Sequence, residues 1–397
     1  MALEQTWRWF GPNDPVSLEE IRQTGATGIV TALHHVQTGD VWNAGEVMRR
    51  RRMIEAKGLH WAVVESLPVH EKIKKRSGNY KELIENYKTS IRNLGACGVT
   101  IVCYNFMPVF DWSRTDLAVQ YKDGSLTTKF EAKAFAAFDL FLLKRPRAEE
   151  SYTEEIIVQA QQFYEELSDE GRKKLVQTVL LGHPGSGETY TLSELLSALE
   201  TYKDIARRDL QDNLFSFLKE IVPVAEESHV RLVVHPDDPP WQLLGLPRIV
   251  GTEKDIELML SAADSQSNGL TFCTGSLGAG IANDCVAMAK KFSQRVNFIH
   301  LRNVSRNAAG DFVEENHLEG DIDLAAIMKI FLLEQKRREE EGEDAHMPFR
   351  PDHGHLMLDD QRNYYPGYSL YGRVRALAEL RGIEAGILHS LQPQERN

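Results

Sequence analysis

The sequence is poor in cysteine and has no long apolar segment. Its 397 residues include four cysteines, none of them in a C-x-x-C pair, so we expect no disulfide framework. Scattered cysteines of this kind are typical of reduced thiols in cytoplasmic proteins. No segment approaches the roughly 20 apolar residues of a membrane helix. The first residues also lack the basic region and apolar core of a secretory signal. We therefore expect a cytoplasmic protein that does not insert into membranes.

Basic residues are scarce relative to acidic ones. Lysine and arginine number 46 against 58 aspartates and glutamates, which gives a formal net charge of −12. Because a nucleic-acid binder needs a basic face that neutralises phosphates, this balance argues against a nucleic-acid partner. An anionic small substrate is still acceptable, since a metal ion or an arginine reverses the sign of charge inside one pocket.

Eight short apolar segments alternate with helical patterns along the chain. Several of them are continuously apolar, which is typical of parallel strands covered on both faces. Eight β/α units predict an α/β fold, a closed (β/α)8 TIM barrel formed by residues 1–397 as one domain. The alternative is a doubly wound open sheet, but no GxGxxG motif follows the first strand. The predicted strands are 6–11, 27–35, 59–66, 99–106, 230–236, 269–275, 296–303 and 347–354.

Two segments interrupt this alternation. Residues 107–200 contain charged helical patterns and are predicted to form a helical insertion after strand four. Because the segment follows a strand, we expect it to lie over the C-terminal rim of the barrel as a lid or an oligomer contact. Residues 305–320, after strand seven, have the pattern of a small β-hairpin.

The last four predicted strands end in residue types that bind metals. Active sites of TIM barrels lie at the C-terminal ends of the strands, and neighbouring strands are ~4.8 Å apart. Each residue alone is more often a core or hydrogen-bonded group, but four at one level on adjacent strands predict one metal site. Two imidazoles, a thiolate and a carboxylate suit Mn, Fe, Co or Zn better than Mg or Ca. The four residues are His235, Cys273, His300 and Asp352.

Two side chains after these strand ends are candidates for proton transfer. His353 adjoins Asp352, so both reach the site only if the backbone leaves the strand there, which Gly354 permits. Tyr368 can act as an acid or base if a nearby cation lowers its pKa. Its other interpretation is packing at the start of the last helix, and Tyr371 is a competing candidate.

Three further residues are candidates for substrate binding. Arg302 follows strand seven and suits a bidentate contact with a substrate carboxylate, although it could equally pair with an acidic residue of the rim. His34 and His35 end strand two, where a position facing the barrel mouth and a structural position are equally compatible with the pattern. In the HPDDPP segment, Asp237 and Asp238 are expected to support His235 through hydrogen bonds.

Several motifs together resemble the mannonate dehydratase family. The resemblance extends from residue 5 to about residue 385, and several of the motifs are long enough to be highly specific. They are WRWFGPNDPVSL, TALHH, VVESLPVHE, CYNFMPVFDW, HPDDPPW, CTGSLG, HLRN and RPDHGH.

The resemblance implies a xylose-isomerase-like TIM barrel with lyase activity. Such a hydro-lyase removes water from D-mannonate to give 2-keto-3-deoxy-D-gluconate in hexuronate (glucuronate) catabolism. The resemblance also implies Mn(II) or Fe(II) on the four predicted ligands and a proposed acid/base pair of His353 and Tyr368, without deciding which is the acid. We expect a small sugar-acid substrate and a homo-oligomer of two or more copies.

Two other functions are compatible with the same residues. A metal-dependent sugar or sugar-acid isomerase would use these ligands to move a hydride or a proton, and its product would not be a keto-deoxy acid. A non-catalytic sugar-acid sensor would carry a structural metal with a closed protein shell, whereas a catalytic ion keeps positions open. Placement at the strand ends favours catalysis.

Overall fold

The computed structural model describes residues 2–181 and 190–392. All eight predicted strands are present, and with strands numbered in chain order they are β1 (Glu4–Arg8), β2 (Gly28–Thr31), β3 (His60–Glu65), β4 (Ile101–Tyr104), β7 (Arg231–Val234), β8 (Asn268–Cys273), β9 (Val296–Leu301) and β12 (Pro348–Pro351). They are parallel and close a barrel in the order β1-β12-β9-β8-β7-β4-β3-β2. The predicted TIM barrel is therefore confirmed, and the doubly wound open sheet is excluded.

The barrel interior begins with an apolar layer and continues into a polar one. Buried side chains from β2, β3, β4, β7 and β9 pack together in the apolar layer, among them Val233 and Phe298. Side chains two residues apart on a strand point to the same face. His235 and His300 therefore lie directly above Val233 and Phe298 along their strands, toward the C-terminal end of the barrel.

Helices between the strands bury their apolar faces against the outside of the barrel. The first begins at a capping box, in which Ser17 and Glu20 bond each other's backbone N–H groups. These helices are α1 (Leu18–Gln23), α2 (Ala44–Glu55), α3 (Glu71–Lys75), α4 (Tyr80–Ala96), α9 (Arg207–Glu227), α10 (Glu253–Ala262), α11 (Thr274–Ala279), α12 (Cys285–Phe292), α13 (Leu324–Glu341) and α14 (Leu370–Leu391). Within the described part of the chain, no helix is both long and apolar enough to cross a bilayer.

The region 107–200, interpreted from sequence as a helical insertion, contains strands as well as helices. Its helices are α5 (Ala132–Ala137), α6 (Glu154–Glu166), α7 (Asp169–Leu180) and α8 (Leu192–Glu200), with a π-helical turn at Phe138–Leu143 and a 3-10 turn at Ala148–Ser151. Its strands are β5 (Asp116–Gln120) and β6 (Leu126–Phe130). Residues 182–189, which belong to the same predicted insertion, lie outside the described residues.

The two strands of this region form a second sheet with the segment after β9. That segment is an antiparallel hairpin of β10 (Asn303–Arg306) and β11 (Phe312–Glu315), and the sheet order is β10-β11-β6-β5. Phe130 of β6 stacks on Phe312 of β11 with ring centroids 5.6 Å apart. The pairing of β6 with β11 joins segments that are distant in sequence, so no local pattern predicts it.

A partly buried carboxylate, that of Glu4, joins two histidines at the N-terminal end of the barrel. Glu4 Oε1 lies 2.7 Å from His60 Nε2, and the other oxygen of Glu4 contacts His346 Nε2. The hydrogen bond to Glu4 raises the pKa of His60. Burial alone would raise the pKa of Glu4, but the two histidines lower it to about 2.

We expect stability to fall as the pH rises above neutral because of this contact. A histidine whose folded-state pKa exceeds its unfolded value near 6.5 contributes fully below that value and loses its contribution as the pH rises through the folded pKa. Thermal unfolding from about pH 6 to about pH 9 measures the loss. His60→Asn should remove this pH dependence, and His389→Asn, at an exposed site, should keep it. An unchanged pH dependence in His60→Asn would contradict the assignment.

Candidate active site

A cavity lies at the C-terminal ends of the barrel strands. It encloses about 450 Å³ including its open mouth, and polar side chains make up much of its lining. The predicted site residues that line it are His235, Arg302, Asp352, His353 and Tyr368. Cys273 and His300 are fully buried beside these residues.

Three of the four predicted metal ligands lie together. One donor atom each from His235, Cys273 and His300 falls within 4.8 Å of the others. Cys273 and His300 are direct register partners of β8 and β9, and His235 follows the last residue of β7. The imidazole rings of His235 and His300 have centroids 5.0 Å apart.

The hydrogen bonds around this group show which of its donor atoms are available to an ion. The ring Nδ1 of His235 lies 2.7 Å from the Pro236 carbonyl, and donation there leaves Nε2 with its lone pair. Among the described residues, the buried Nε2 of His300 makes no regular hydrogen bond, and it lies 3.5 Å from Glu65 Oε2. The Ser276 hydroxyl lies 3.0 Å from Cys273 Sγ and donates a hydrogen bond to it. Two imidazoles and a thiolate fit a borderline divalent ion.

Asp352, the fourth predicted ligand, lies beside this group and is held by arginines. Its Oδ2 is 3.7 Å from Cys273 Sγ and 3.2 Å from Arg302 Nη1, while Arg350 contacts Oδ1. Burial alone would raise the pKa of Asp352, but Arg350 and the neighbouring positive groups hold it well below its usual value. The group is therefore an ionised carboxylate at the edge of the three donors.

A second group of metal-ligand types occurs at the opposite end of the barrel. The side chains of Glu4, His60 and His346 also approach within 4.8 Å of one another. Their facing atoms already bond each other, and both histidines are exposed. The buried group at the cavity is therefore the candidate metal centre.

Arg350 and Glu65, which both line the cavity, form a buried pair that the sequence analysis missed. Arg350 donates to both carboxylate oxygens of Glu65, from Nη2 at 2.8 Å and from Nε at 3.1 Å. Arg350 Nη2 also lies 3.5 Å from His300 Nδ1. Glu65 is the last residue of β3, so extending the inspection of strand ends to strand three would have found it.

His353 and Tyr368 lie next to each other at the cavity wall. Their ring centroids are 5.3 Å apart, because the Gly354 N–H donates to the Gly367 carbonyl and brings the two segments together. Strand β12 ends at Pro351, so Asp352 and His353 both lie beyond it. Gly354 is needed for space, because a Cβ there would lie 2.5 Å from the backbone nitrogen of Arg373.

Tyr368 is buried and Tyr371 is not. Tyr368 lines the cavity, and burial raises its pKa to about 12 despite the opposing charge of Arg350. Tyr371 is 40% exposed and is not among the lining residues. Of the two tyrosines, only Tyr368 is placed to meet a substrate in the cavity.

Arg302 lines the cavity but is surrounded by carboxylates of the protein. Its Nη1 lies 2.8 Å from Asp238 and 3.2 Å from Asp352, and its Nε lies 3.2 Å from Glu314. Contact with a substrate carboxylate therefore remains a prediction, whereas the pairing with acidic residues of the rim is observed.

The structure does not bring the two predicted histidines of strand two into the cavity. His35 is exposed, and its Nε2 lies 2.9 Å from Glu46 in α2. His34 packs near Phe10, with ring centroids 5.9 Å apart, and neither histidine lines the cavity. Both follow the last residue of β2, Thr31, by several positions, where the barrel register no longer directs side chains inward.

The two aspartates of the HPDDPP segment do not support His235 as expected. Asp237 accepts the backbone N–H groups of Ile249 and Val250, each at 2.7 Å. Asp238 pairs with Arg302 and with Arg114, the latter at 3.1 Å. The Pro236 carbonyl takes the place that was predicted for these carboxylates.

Comparisons with known proteins agree on one family. The family model described as D-mannonate dehydratase (UxuA) matches residues 3–394. The chain is 49% identical to a mannonate dehydratase of Marinomonas sp. over 98% of its own length and 100% of that protein. It is 50% identical to a mannonate dehydratase of Chromohalobacter salexigens over 97% and 99% of the two chains. The crystal structure of mannonate dehydratase from Streptococcus suis serotype2 superposes with a TM-score of 0.77 at 35% identity, covering 98% of this chain and 94% of that one.

Gly275, directly after the Cys273–Thr274 pair, makes room for Arg302, and we expect Gly275→Ala to destabilise the protein. A Cβ at this position would collide with the Arg302 guanidinium, and overpacking of this kind costs about 1–3 kcal/mol. The matched control is Gly382→Ala in α14, where a Cβ meets nothing within 4 Å and alanine favours the helix. Denaturant unfolding of both variants measures the difference. Equal unfolding midpoints for Gly275→Ala and the unmodified protein would contradict this account.

Proposed function

The chain belongs to the D-mannonate dehydratase family and catalyses the metal-dependent dehydration of D-mannonate, and on this premise we propose which side chains hold the metal and which move the protons. The proposed ligands are His235, Cys273, His300 and Asp352, and the proposed proton carriers are His353 and Tyr368. The single observation that carries the proposal is the convergence of three donor atoms beside a cavity lined by the other residues.

The reaction requires removal of the C2 proton and loss of the C3 hydroxyl. The C2 proton is weakly acidic because it lies beside a carboxylate, and its removal places negative charge on that carboxylate. A divalent ion held by these residues would supply Lewis-acid stabilisation of that charge. The chain itself must orient the sugar acid, accept one proton and donate another.

We assign the base to His353 and the acid to Tyr368. A phenol whose pKa is raised to about 12 by burial stays protonated near neutral pH and is therefore a donor for the leaving hydroxyl. A neutral imidazole accepts a proton through its free ring nitrogen. Trp112 meets the His353 ring edge-on with ring centroids 6.3 Å apart, and His353 is buried.

The finer features of the proposal rest on the resemblance and on the donor set. We propose Mn(II) or Fe(II) as the resident ion, because a thiolate with two imidazoles suits these ions better than Mg. Four buried cysteines, none of them in a disulfide, support the proposed reducing cytoplasm. The homo-oligomer of two or more copies stays a prediction. The comparisons do not favour the sugar-isomerase alternative.

Metal removal provides the first test. Protein stripped of metal should form no 2-keto-3-deoxy acid from D-mannonate, and activity should return with Mn(II) or Fe(II) but not with Mg. The activity restored by Co and Zn in the same assay ranks the borderline ions as cofactors. Product analysis separates dehydration from isomerisation, because an isomer retains the mass of the substrate. Failure of every ion to restore keto-acid formation would contradict the proposal.

Substitution of the proton carriers provides the second test. We expect His353→Asn and Tyr368→Phe to bind the metal normally and to lose about 10²- to 10⁴-fold in kcat, since each removes one general acid or base. Metal content by elemental analysis and kcat with D-mannonate are the measurements. Tyr371→Phe is the matched control, because that tyrosine is exposed, and its kcat should be unchanged. A normal kcat for His353→Asn would remove this residue from the mechanism.

A further inference from the structure

One carboxylate from the β10–β11 hairpin reaches the proposed base. Glu314 Oε1 lies 3.2 Å from His353 Nδ1, and both side chains are buried, at 3% and 6% exposure. The contact is within ion-pair range, although the ring is not aligned for a regular hydrogen bond. Contacts of this kind in a substrate-free site are often long and tighten when the substrate binds.

Neighbouring groups hold Glu314 in place. Arg114 Nη2 lies 2.5 Å from Oε1, and Arg302 Nε lies 3.2 Å from Oε2. The backbone carbonyl of Glu314 accepts the Thr127 hydroxyl at 3.0 Å and faces His355 Nε2 at 3.1 Å. Its side chain and its backbone are thus both fixed by residues outside the hairpin.

His353 separates the active-site cavity from a second cavity. The second cavity encloses about 670 Å³ including its open mouth and is lined by Glu314, Gly354 and Tyr364 among others. Within residues 2–181 and 190–392, His353 alone lines both cavities. Its Nδ1 edge faces Glu314, and its Nε2 lies 3.9 Å from Asp352, on the active-site side.

We propose that Glu314 is a positioning residue that fixes the orientation and tautomer of His353. An ionised carboxylate only accepts hydrogen bonds, so it selects the tautomer with the proton on Nδ1. The Nε2 lone pair then faces the active-site cavity, where the substrate proton must be taken. This is the role that a buried carboxylate plays toward the imidazole in Ser-His-Asp sites. The inference rests on the proposed function of His353 as the base.

The two insertions contact each other beside His353. Arg114 precedes β5 in the first insertion, and Glu314 lies in β11 of the second. Their pairing, together with the β6–β11 pairing, forms a wall behind His353. The barrel strands bring the metal-ligand types together, and the two paired insertions orient His353, the proposed base.

The decisive variant is Glu314→Gln, with Glu315→Gln as its matched control. Glutamine keeps the size of the side chain but accepts and donates, so the tautomer is no longer selected. We expect kcat to fall about 10- to 100-fold, as for other carboxylate partners of histidines, with KM and metal content unchanged. Glu315 is the next residue of the same strand and contacts Tyr121 instead, so its variant should keep the normal kcat.

Glu314→Ala tests the same role by rescue. The removed carboxylate leaves a space between two arginines that adjoins the second cavity, so added formate should restore part of kcat. Formate should not restore Glu314→Gln, in which the space is filled. A role limited to folding would not respond to formate in this selective way. If Gln or Ala prevents folding, Glu314→Asp keeps the charge opposite the arginines but shortens its reach, and it should lower kcat in the same way.

The His353→Asn variant separates failure of this inference from failure of the proposed function. If Glu314 acts through His353, adding Glu314→Gln to His353→Asn should cause no further loss of kcat. A normal kcat in Glu314→Gln, with His353→Asn inactive, would overturn the positioning role alone. A normal kcat in His353→Asn would overturn the proposed base and the inference with it. Equal losses in Glu314→Gln and Glu315→Gln would also overturn the positioning role.

Discussion

The alternation of side chains along parallel strands is the constraint on which the site depends. In a closed barrel, residues two positions apart on a strand face the same interior. Val233 and Phe298 belong to the apolar layer, so His235 and His300 must lie in the layer above it. Cys273 meets His300 through the strand register. The metal-ligand types therefore converge because the backbone geometry of the strands leaves them no other direction.

Burial of so many charged groups imposes a second constraint. An ionised side chain without a partner is costly in a low-dielectric interior, and a buried pair is retained only with good geometry. Four buried carboxylates at the rim accordingly face arginines: Asp352 with Arg350 and Arg302, Glu65 with Arg350, Asp238 and Glu314 with Arg114 and Arg302. The charged residues around the proposed ligands and proton carriers are therefore already paired with each other.

The two insertions add side chains to the site that the barrel strands form. Loops after the strands carry the chemistry of TIM barrels, and here they bring Trp112, Arg114 and Glu314 to His353. Trp112 and Glu314 contact different parts of the His353 ring, and the ion pairs of Arg114 hold Asp238 and Glu314. Arg114 and Glu314 are 200 positions apart in the chain, and the pairing of β6 with β11 brings their segments together.

The sequence by itself determined the eight strands, the barrel and the residue types at the strand ends. The strands follow from local hydrophobic periodicity, and the site follows from the rule that TIM-barrel active sites lie at the C-terminal ends of the strands. The same reasoning extended to strand three would have found Glu65. It did not determine the strands within residues 107–200, the position of His35 beside Glu46, or the contact of Glu314 with His353. Only the tertiary structure decided these three features. Each depends on a contact between segments that are distant in the chain, and no local sequence pattern shows which segments meet.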